Sequence, residues 1–454
     1  MMRNANIRLM SLSVVVASAL WYANAQPTLY WIYDPADRDT QHRVWGYSVT
    51  KDGRYVVGSC ITGWENYDPD RKYPFLWDRQ NQSFNISFAN CNTVGVEARD
   101  VAYVNGDYGP NDLTIVGRYP SAASTPFVWS QNGGCHPVNF ANIGFAYSLS
   151  EDYLFAGVDR SGPDPLAVIW GSSYPRPGLY RKVLQSGPSE ALAIAKQNSS
   201  IVVGWARNAA GRNQAVVWKH TGVRDPSPTQ QYFLPYPSDW SSLTGSAAVA
   251  ISSNGRIILG NGSGRIIRDE SNAPVAAIFI WRWDGANSGT ITLEWIPTSP
   301  VIFDASTALA ISDDGRTIVG YRNAGQGSPR AARWRKTGSR WVDEDLNQTY
   351  SNLLRDGSVL RVAQAISPDG RYIVGWGDNA IRRRQEAFLL DTGPSCTVHN
   401  GDVNNDGCIS DADLLQVLFA FGSTGSNLGR VDVNCDGTVD DADLIVVLLN
   451  FGRC

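Results

Sequence analysis

Residues 306–321 read STALAISDDGRTIVGY, and after a short loop residues 331–334 read AARW. Small and apolar residues alternate over 308–312 as on a strand, Asp314-Gly315 supplies the positive φ of a tight turn, and 317–321 runs back. Residues 331–334 give a third strand, Thr337-Gly338 turns the chain, and Trp341-Val342 opens a fourth. One unit of four antiparallel strands is therefore written in about forty residues.

The unit recurs. Residues 363–376 read AQAISPDGRYIVGW and lead to EAFLL at 386–390; 248–260 read AVAISSNGRIILG with IFIW at 278–281; 191–205 read ALAIAKQNSSIVVGW with AVVW at 215–218. A further copy spans 47–60 with FLW at 75–77, and two looser ones span 101–117 with PFVW at 126–129 and 146–157 with AVIW at 167–170. The glycines closing the second strand are Gly58, Gly117, Gly157, Gly204, Gly260, Gly320 and Gly375, at spacings of 40 to 60 residues. That period belongs to a propeller blade rather than a helical repeat, and seven copies predict a mainly β chain with a seven-bladed β-propeller over 26–391. The recurrent Trp77, Trp129, Trp170, Trp218, Trp281 and Trp334 are expected to fill the space between blades. A ring must also close, and residues 28–32, TLYWI, are expected to pair beside 387–390. The repeat wording, small-x-Ala-Ile-Ser-x-Asp-Gly-x-x-Ile-Val-Gly, resembles the HAF-type repeats of secreted bacterial propeller proteins. That resemblance implies a fold and an extracellular setting and assigns no chemistry.

Composition and the N-terminus agree with this class. Of 454 residues 43% are hydrophobic and 18% charged, with 43 Gly and 16 Trp, which excludes a disordered chain or a coiled coil. A formal charge of −4 gives no basic field, so no nucleic-acid partner is expected. Arg3 and Arg8, an apolar run over 9–22, and Ala23-Asn24-Ala25 predict a signal peptide over 1–25, with no membrane span after cleavage and a secreted or cell-surface product. In such a compartment the seven Cys are expected to form disulfides and leave at least one thiol over.

After a linker at 392–395 the composition changes: residues 396–454 hold nine Asp and no Glu against two Arg. Two 12-residue segments 30 positions apart explain the Asp. The first places Asp402, Asn404, Asp406, Ser410 and Asp413 at loop positions 1, 3, 5, 9 and 12, with the carbonyl of Cys408 at position 7. The second places Asp432, Asn434, Asp436, Asp440 and Asp443 likewise, with the carbonyl of Thr438. Oxygen donors at these positions around a Gly at position 6 are how such a loop surrounds a hard cation, so two Ca²⁺ ions are expected. Four carboxylates against three favour tighter binding in the second loop. Apolar helices over 414–421 and 444–451 follow, each stopped by Gly. Duplicated loop and helix, with Asp at position 12, resembles a type I dockerin domain. The resemblance implies the same twelve calcium ligands and a cohesin partner held through positions 10 and 11, here Asp411, Ala412, Asp441 and Ala442. The later helix positions, Phe419-Ala420 and Leu449-Asn450, depart from the polar or basic residues usual in that family. A surface-layer component or the propeller itself are the other expected partners of these helices. Four Cys in this segment allow three pairings; the favoured one joins Cys396 to Cys454 and Cys408 to Cys435. Cys60, Cys91 and Cys135 leave one bridge and one free thiol.

Catalytic signatures are sparse. His42, His136, His220 and His399 form no metal-spaced pair and read as loop or surface residues, no nucleophile or phosphate-loop motif occurs, and 260–264, GNGSG, reads as a turn. Glu97, Asp100, Asp304, Glu344 and Asp345 are candidates for a glycosidase pair, each more simply a turn or edge residue, while Asp52, Asp314 and Asp369 support Gly turns. The aromatic stretches 64–67 and 232–240 could stack on sugar rings or merely pack long loops. The sequence thus favours a secreted, non-catalytic binding and attachment protein whose propeller displays a ligand site, a polysaccharide among the candidates. The alternatives are a glycoside hydrolase or polysaccharide lyase, and a structural surface protein capped by its tail.

Overall fold

A computed structural model describes residues 27–453 apart from 36–41, 62–71, 87, 89–95, 107–108, 119–125, 138–143, 174–175, 267–274, 285–289, 299–305, 324–327, 394–398, 405, 424–427 and 435–438. The expected signal peptide, Asp304, the aromatic stretch 64–67, and Cys91, Cys396, Cys435 and Cys454 lie outside the described residues. The chain divides into two compact units, one built from 30–336 with 340–389 and one containing 390–454.

The larger unit is seven four-stranded antiparallel sheets. Blade 1 is Arg43–Val49, Tyr55–Ile61, Tyr73–Asp78 and Ser83–Asn85; blade 2 is Glu97–Gly106, Gly109–Arg118, Pro126–Ser130 and Gly134–Pro137; blade 3 is Gly144–Leu149, Leu154–Asp159, Leu166–Ser173 and Arg176–Val183. Blade 4 is Ser189–Ile194, Ile201–Arg207, Asn213–Lys219 and Gln230–Phe233; blade 5 is Trp240–Ile251, Ile257–Ile266, Val275–Trp283 and Ile291–Pro297; blade 6 is Thr307–Ile311, Thr317–Arg322, Arg330–Thr337 and Arg340–Asp345. Blade 7 takes Val359–Ile366, Tyr372–Asn379 and Arg384–Asp391 from the end of the ring and Thr28–Ile32 from its beginning, the last lying against Arg384–Asp391. The closing strand expected from the sequence is therefore the outer strand of blade 7. A seven-bladed β-propeller results.

The repeat wording has a local cause, seen in blades 1, 5, 6 and 7. In blade 6 the Ser312 hydroxyl donates to Asp314 Oδ1 at 2.5 Å and accepts from the Thr317 amide at 3.0 Å, while Asp314 accepts from the Arg316 amide at 2.9 Å and Gly315 sits at φ +67°. Equivalent networks hold Thr50 with Asp52, Ser252 with Asn254 and Ser367 with Asp369. The turn carboxylates are engaged in making the turn, as expected for residues given no chemistry. The six Trp are buried, each in an apolar cluster shared with the preceding blade; Trp218 packs with Ile169 and Leu184 of the blade 3 segment, and Trp281 with Val203 and Val217 of blade 4. Truncating one to Ala would cost about 3–5 kcal/mol.

One expectation is corrected: 260–264 is not a turn but part of the strand Ile257–Ile266, paired with Trp240–Ile251 on one side and Val275–Trp283 on the other. Its glycines make room for aromatic rings, since a Cβ on Gly264 would lie 2.1 Å from the Trp240 ring and one on Gly262 2.5 Å from Phe279.

Three short helices occur among the described residues: α1, Leu346–Thr349, in the propeller unit, and α2, Asp411–Ala420, and α3, Asp441–Asn450, in the C-terminal segment. The last two begin three residues ahead of the apolar runs that announced them, because Ser410 and Asp440 cap them and Asp413 and Asp443 return to the capping residue's amide. The halves exchange backbone bonds: Gly422 N to Val439 O and Gly452 N to Ile409 O, both 2.8 Å. Val403, Ile409, Val417 and their counterparts Val433, Val439 and Val447 form a small buried core.

Candidate functional site

The position that faces the propeller channel is set by a β-bulge repeated in every innermost strand. Register shifts fall between Gly46 and Ser48, Ala98 and Asp100, Ala146 and Ser148, Ala191 and Ala193, Ala248 and Ala250, Ala308 and Ala310, and Ala363 and Ala365. The second-strand glycine makes the bulge possible: a Cβ on Gly320 would meet the Thr307 carbonyl oxygen at 1.9 Å, and one on Gly117 the Glu97 oxygen at 1.8 Å. The extra residues are Tyr47, Arg99, Tyr147, Leu192, Val249, Leu309 and Gln364, and all seven line one cavity of about 440 Å³. Blades 1 to 3 thus give the channel a polar, cationic arc, and blades 4 to 6 an aliphatic one.

Behind the polar arc Glu97 is fully buried and meets three cations: Lys72 Nζ at 2.7 Å, Arg99 at 2.5 Å and Arg118 at 2.7 Å. Burial opposes its ionisation, but the Arg118 hydrogen bond and the neighbouring charges win and hold its pKa at about 2. Arg99 stacks 4.5 Å from the Tyr47 ring centre, Arg118 4.9 Å from Phe145, and Arg160, paired with Glu190, 5.3 Å from Phe145. Burial raises the pKa of the Tyr47 and Tyr147 hydroxyls, so both stay protonated at neutral pH. At the turn end of the channel the charges are paired instead: Lys196 binds Asp100, and Lys51 lies 3.6 Å from Glu151.

The four described carboxylates of the candidate glycosidase set are all occupied, and Asp304 lies outside the described residues. Glu97 serves the cation cluster, Asp100 accepts from Ser48 Oγ at 2.7 Å and the Leu149 amide at 2.8 Å, Glu344 binds Arg333 and Arg335, and Asp345 caps α1 and pairs with Arg330 at 2.6 Å. Ion pairing lowers the pKa of Glu344 and Asp345 against the opposing effect of burial. In the aromatic stretch 232–240 Trp240 and Leu234 are buried, in keeping with packing, while Phe233 and Tyr236 are partly exposed. His42, His220 and His399 lie in loops, as expected, whereas His136 falls in the strand Gly134–Pro137. His42 and His220 are buried, and His220 stitches a turn by accepting from the Gly222 amide at 3.1 Å and meeting the Ser199 carbonyl at 2.8 Å. Desolvation takes its pKa down to about 4. His399 repeats the arrangement with Gly401 and Arg430, and the His136 side chain is outside the description. Among the described residues Cys60 is a free thiol, buried, with its pKa raised by burial, whereas Cys135 and Cys408 are disulfide-bonded.

In the C-terminal unit the first loop is compact. Asp413 is fully buried and accepts from the amides of Val403, Asn404 and Ser410 at 2.7–3.0 Å; Asp402 accepts from Asp406 and Gly407 amides, and Asp406 from Cys408. No Lys or Arg side chain among the described residues pairs with these three carboxylates, in contrast to Glu97, Asp100, Glu344 and Asp345 of the propeller. In the second loop Asp443 takes the Asn434 and Asp440 amides, and Asp436 and Thr438 lie outside the description. Among the described residues no three His, Cys, Asp or Glu side chains are gathered in metal-holding reach. Asp411, Ala412, Asp441 and Ala442 are exposed, and so are two matching apolar rows, Leu415, Leu418, Phe419 and Phe421 on one half and Ile445, Leu448, Leu449 and Phe451 on the other.

No protein-family model matches the chain, and no curated protein matches it. Among solved structures it is similar to Kuenenia stuttgartiensis hydrazine synthase at 9% identity and TM-score 0.41, covering 79% of this chain and 98% of that one. It is also similar to a prolyl endopeptidase at 10% and 0.43, covering 76% of this chain and 46% of the other, and to Sqt1 of Chaetomium thermophilum at 10% and 0.35, covering 78% and 98%. Likeness at this level carries no argument about activity. No helix among the described residues is long and apolar enough to cross a membrane.

Proposed function

We propose that the chain is a secreted binding and attachment protein, in which the propeller presents a ligand site at its channel and a dockerin-like tail carries two Ca²⁺ ions and docks to a surface or scaffold partner. The observation that supports it most is the tail's duplication: two capped helices, matched position for position at an interval of 30, each present an exposed apolar row behind an acidic loop. A large exposed apolar surface on a soluble unit marks an interaction site. Asp402, Asn404, Asp406, the Cys408 carbonyl, Ser410 and Asp413 would hold the first ion, and Asp432, Asn434, Asp436, the Thr438 carbonyl, Asp440 and Asp443 the second. Three carboxylates of the first loop with no paired side-chain cation among the described residues fit a hard divalent ion, which would neutralise their repulsion and fix the loop against its helix.

The test is retention of the intact mature chain on immobilised cohesin modules and on purified surface-layer protein, in calcium and in chelator. Retention on either that is lost in chelator, and weakened at least tenfold by joint Phe419→Ser and Leu449→Ser substitution, is the expected result. No retention on either in saturating calcium would overturn the docking reading.

A further inference from the structure

The bulge ring gives the channel two unlike walls, and the polar one holds more positive charge than its own carboxylates neutralise. Around Glu97 stand Lys72, Arg99 and Arg118, three cations for one anion, with Arg160 balanced by Glu190 alongside. The cations keep a quarter to a third of their side-chain surface open, at 30%, 28% and 27%. Arg99, the cluster member that lines the cavity, also has its Nε buried without a hydrogen-bond partner. An incoming acceptor would meet the open part of the Arg99 side chain rather than this buried atom. Two Tyr hydroxyls and the Gln364 amide add neutral hydrogen-bonding groups, and Leu192, Val249 and Leu309 face them across the cavity.

A ligand that satisfies both walls needs an anionic group, several hydroxyls and one apolar face, within about 440 Å³. A hexuronic acid has all three: a carboxylate for the arginine fork, a hydroxyl rim, and a C–H face for the aliphatic arc. We propose that the channel binds a uronic-acid unit of an acidic saccharide, its carboxylate on Arg99 with Lys72 and Arg118 in support, and Tyr47 and Tyr147 on its hydroxyls. The assignment rests on the reading of the propeller as a ligand platform and names the ligand class of that site.

Titration of the intact mature chain with digalacturonate, followed by calorimetry, tests it against methyl galactoside as the neutral sugar and pentaglutamate as an acidic peptide. Expected is saturable binding of one digalacturonate per chain, weakened by salt, at least tenfold weaker in Arg99→Gln and in Tyr147→Ala, with no comparable binding of the other two. Should Arg99→Gln not fold, Arg99→Lys keeps a cation beside Glu97 but loses the fork, and the same weakening is expected. Absence of digalacturonate binding, or binding unchanged in both positions' variants, overturns the proposal. Equal binding of methyl galactoside overturns the acidic assignment while the platform reading stands, and equal binding of pentaglutamate overturns the saccharide assignment.

Discussion

At the scale of single residues, four positions carry checkable consequences. Gly320 has no room for a Cβ, which would sit 1.9 Å from a backbone oxygen of the neighbouring strand. Gly320→Ala is expected to destabilise the propeller by about 3 kcal/mol or more, read as a drop in denaturation midpoint, because backbone rather than a flexible side chain would have to move. Glu97 and His220 both have folded pKa values below their ordinary ones, at about 2 and about 4. A depressed folded pKa contributes stability above the unfolded value that is lost as pH falls through the folded one. His220 should therefore weaken the fold from about pH 6.5 down to 4, and Glu97 from about 4.5 down to 2, each by no more than about 3 kcal/mol. Melting temperature against pH checks this: His220→Gln should flatten the upper window and Glu97→Gln the lower, and an unchanged profile in either would refute that assignment. The Cys60 thiol, buried and free, should resist a thiol reagent in the native chain and label only after unfolding, as peptide mapping would show.

At the scale of elements, the repeat sequence revealed the blades because Ser-x-Asp-Gly and the following Ile-Val-Gly encode their own turn and strand return, with no help from distant residues. Trp218 and its equivalents were legible for the same reason, as a period that only stacked blades bury. The channel ring was not. Nothing in a single copy tells that the residue between Ala308 and Ala310 is a bulge, since the bulge arises where the Gly320 backbone closes on the Thr307 carbonyl. Once the glycine is understood as a bulge partner, the residue after the small one could have been read across all seven copies as Tyr, Arg, Tyr, Leu, Val, Leu, Gln. The misreading of 260–264 has the converse origin: glycines that signal a turn locally were selected by the rings of Trp240 and Phe279 across the sheet. Glu97 looked like a catalytic candidate because its three cations come from residues 72, 99 and 118, which only the fold gathers.

At the scale of the whole molecule, the account joins a ring of seven blades, whose chemistry lies in what each bulge projects, to a tail whose chemistry lies in two acidic loops. The tail's role is the central claim, and calcium is its condition, because the proposed ligands hold Asp402, Asp406 and Asp413 together with no paired side-chain cation among the described residues. The most direct measurement is a calorimetric titration of Ca²⁺ into the metal-stripped intact chain, repeated with Asp413→Ala and Asp443→Ala. Two saturable sites per chain are predicted, the second loop's the tighter, with each substitution removing one. A titration with no saturable calcium binding, or one unaltered by both substitutions, would contradict the account.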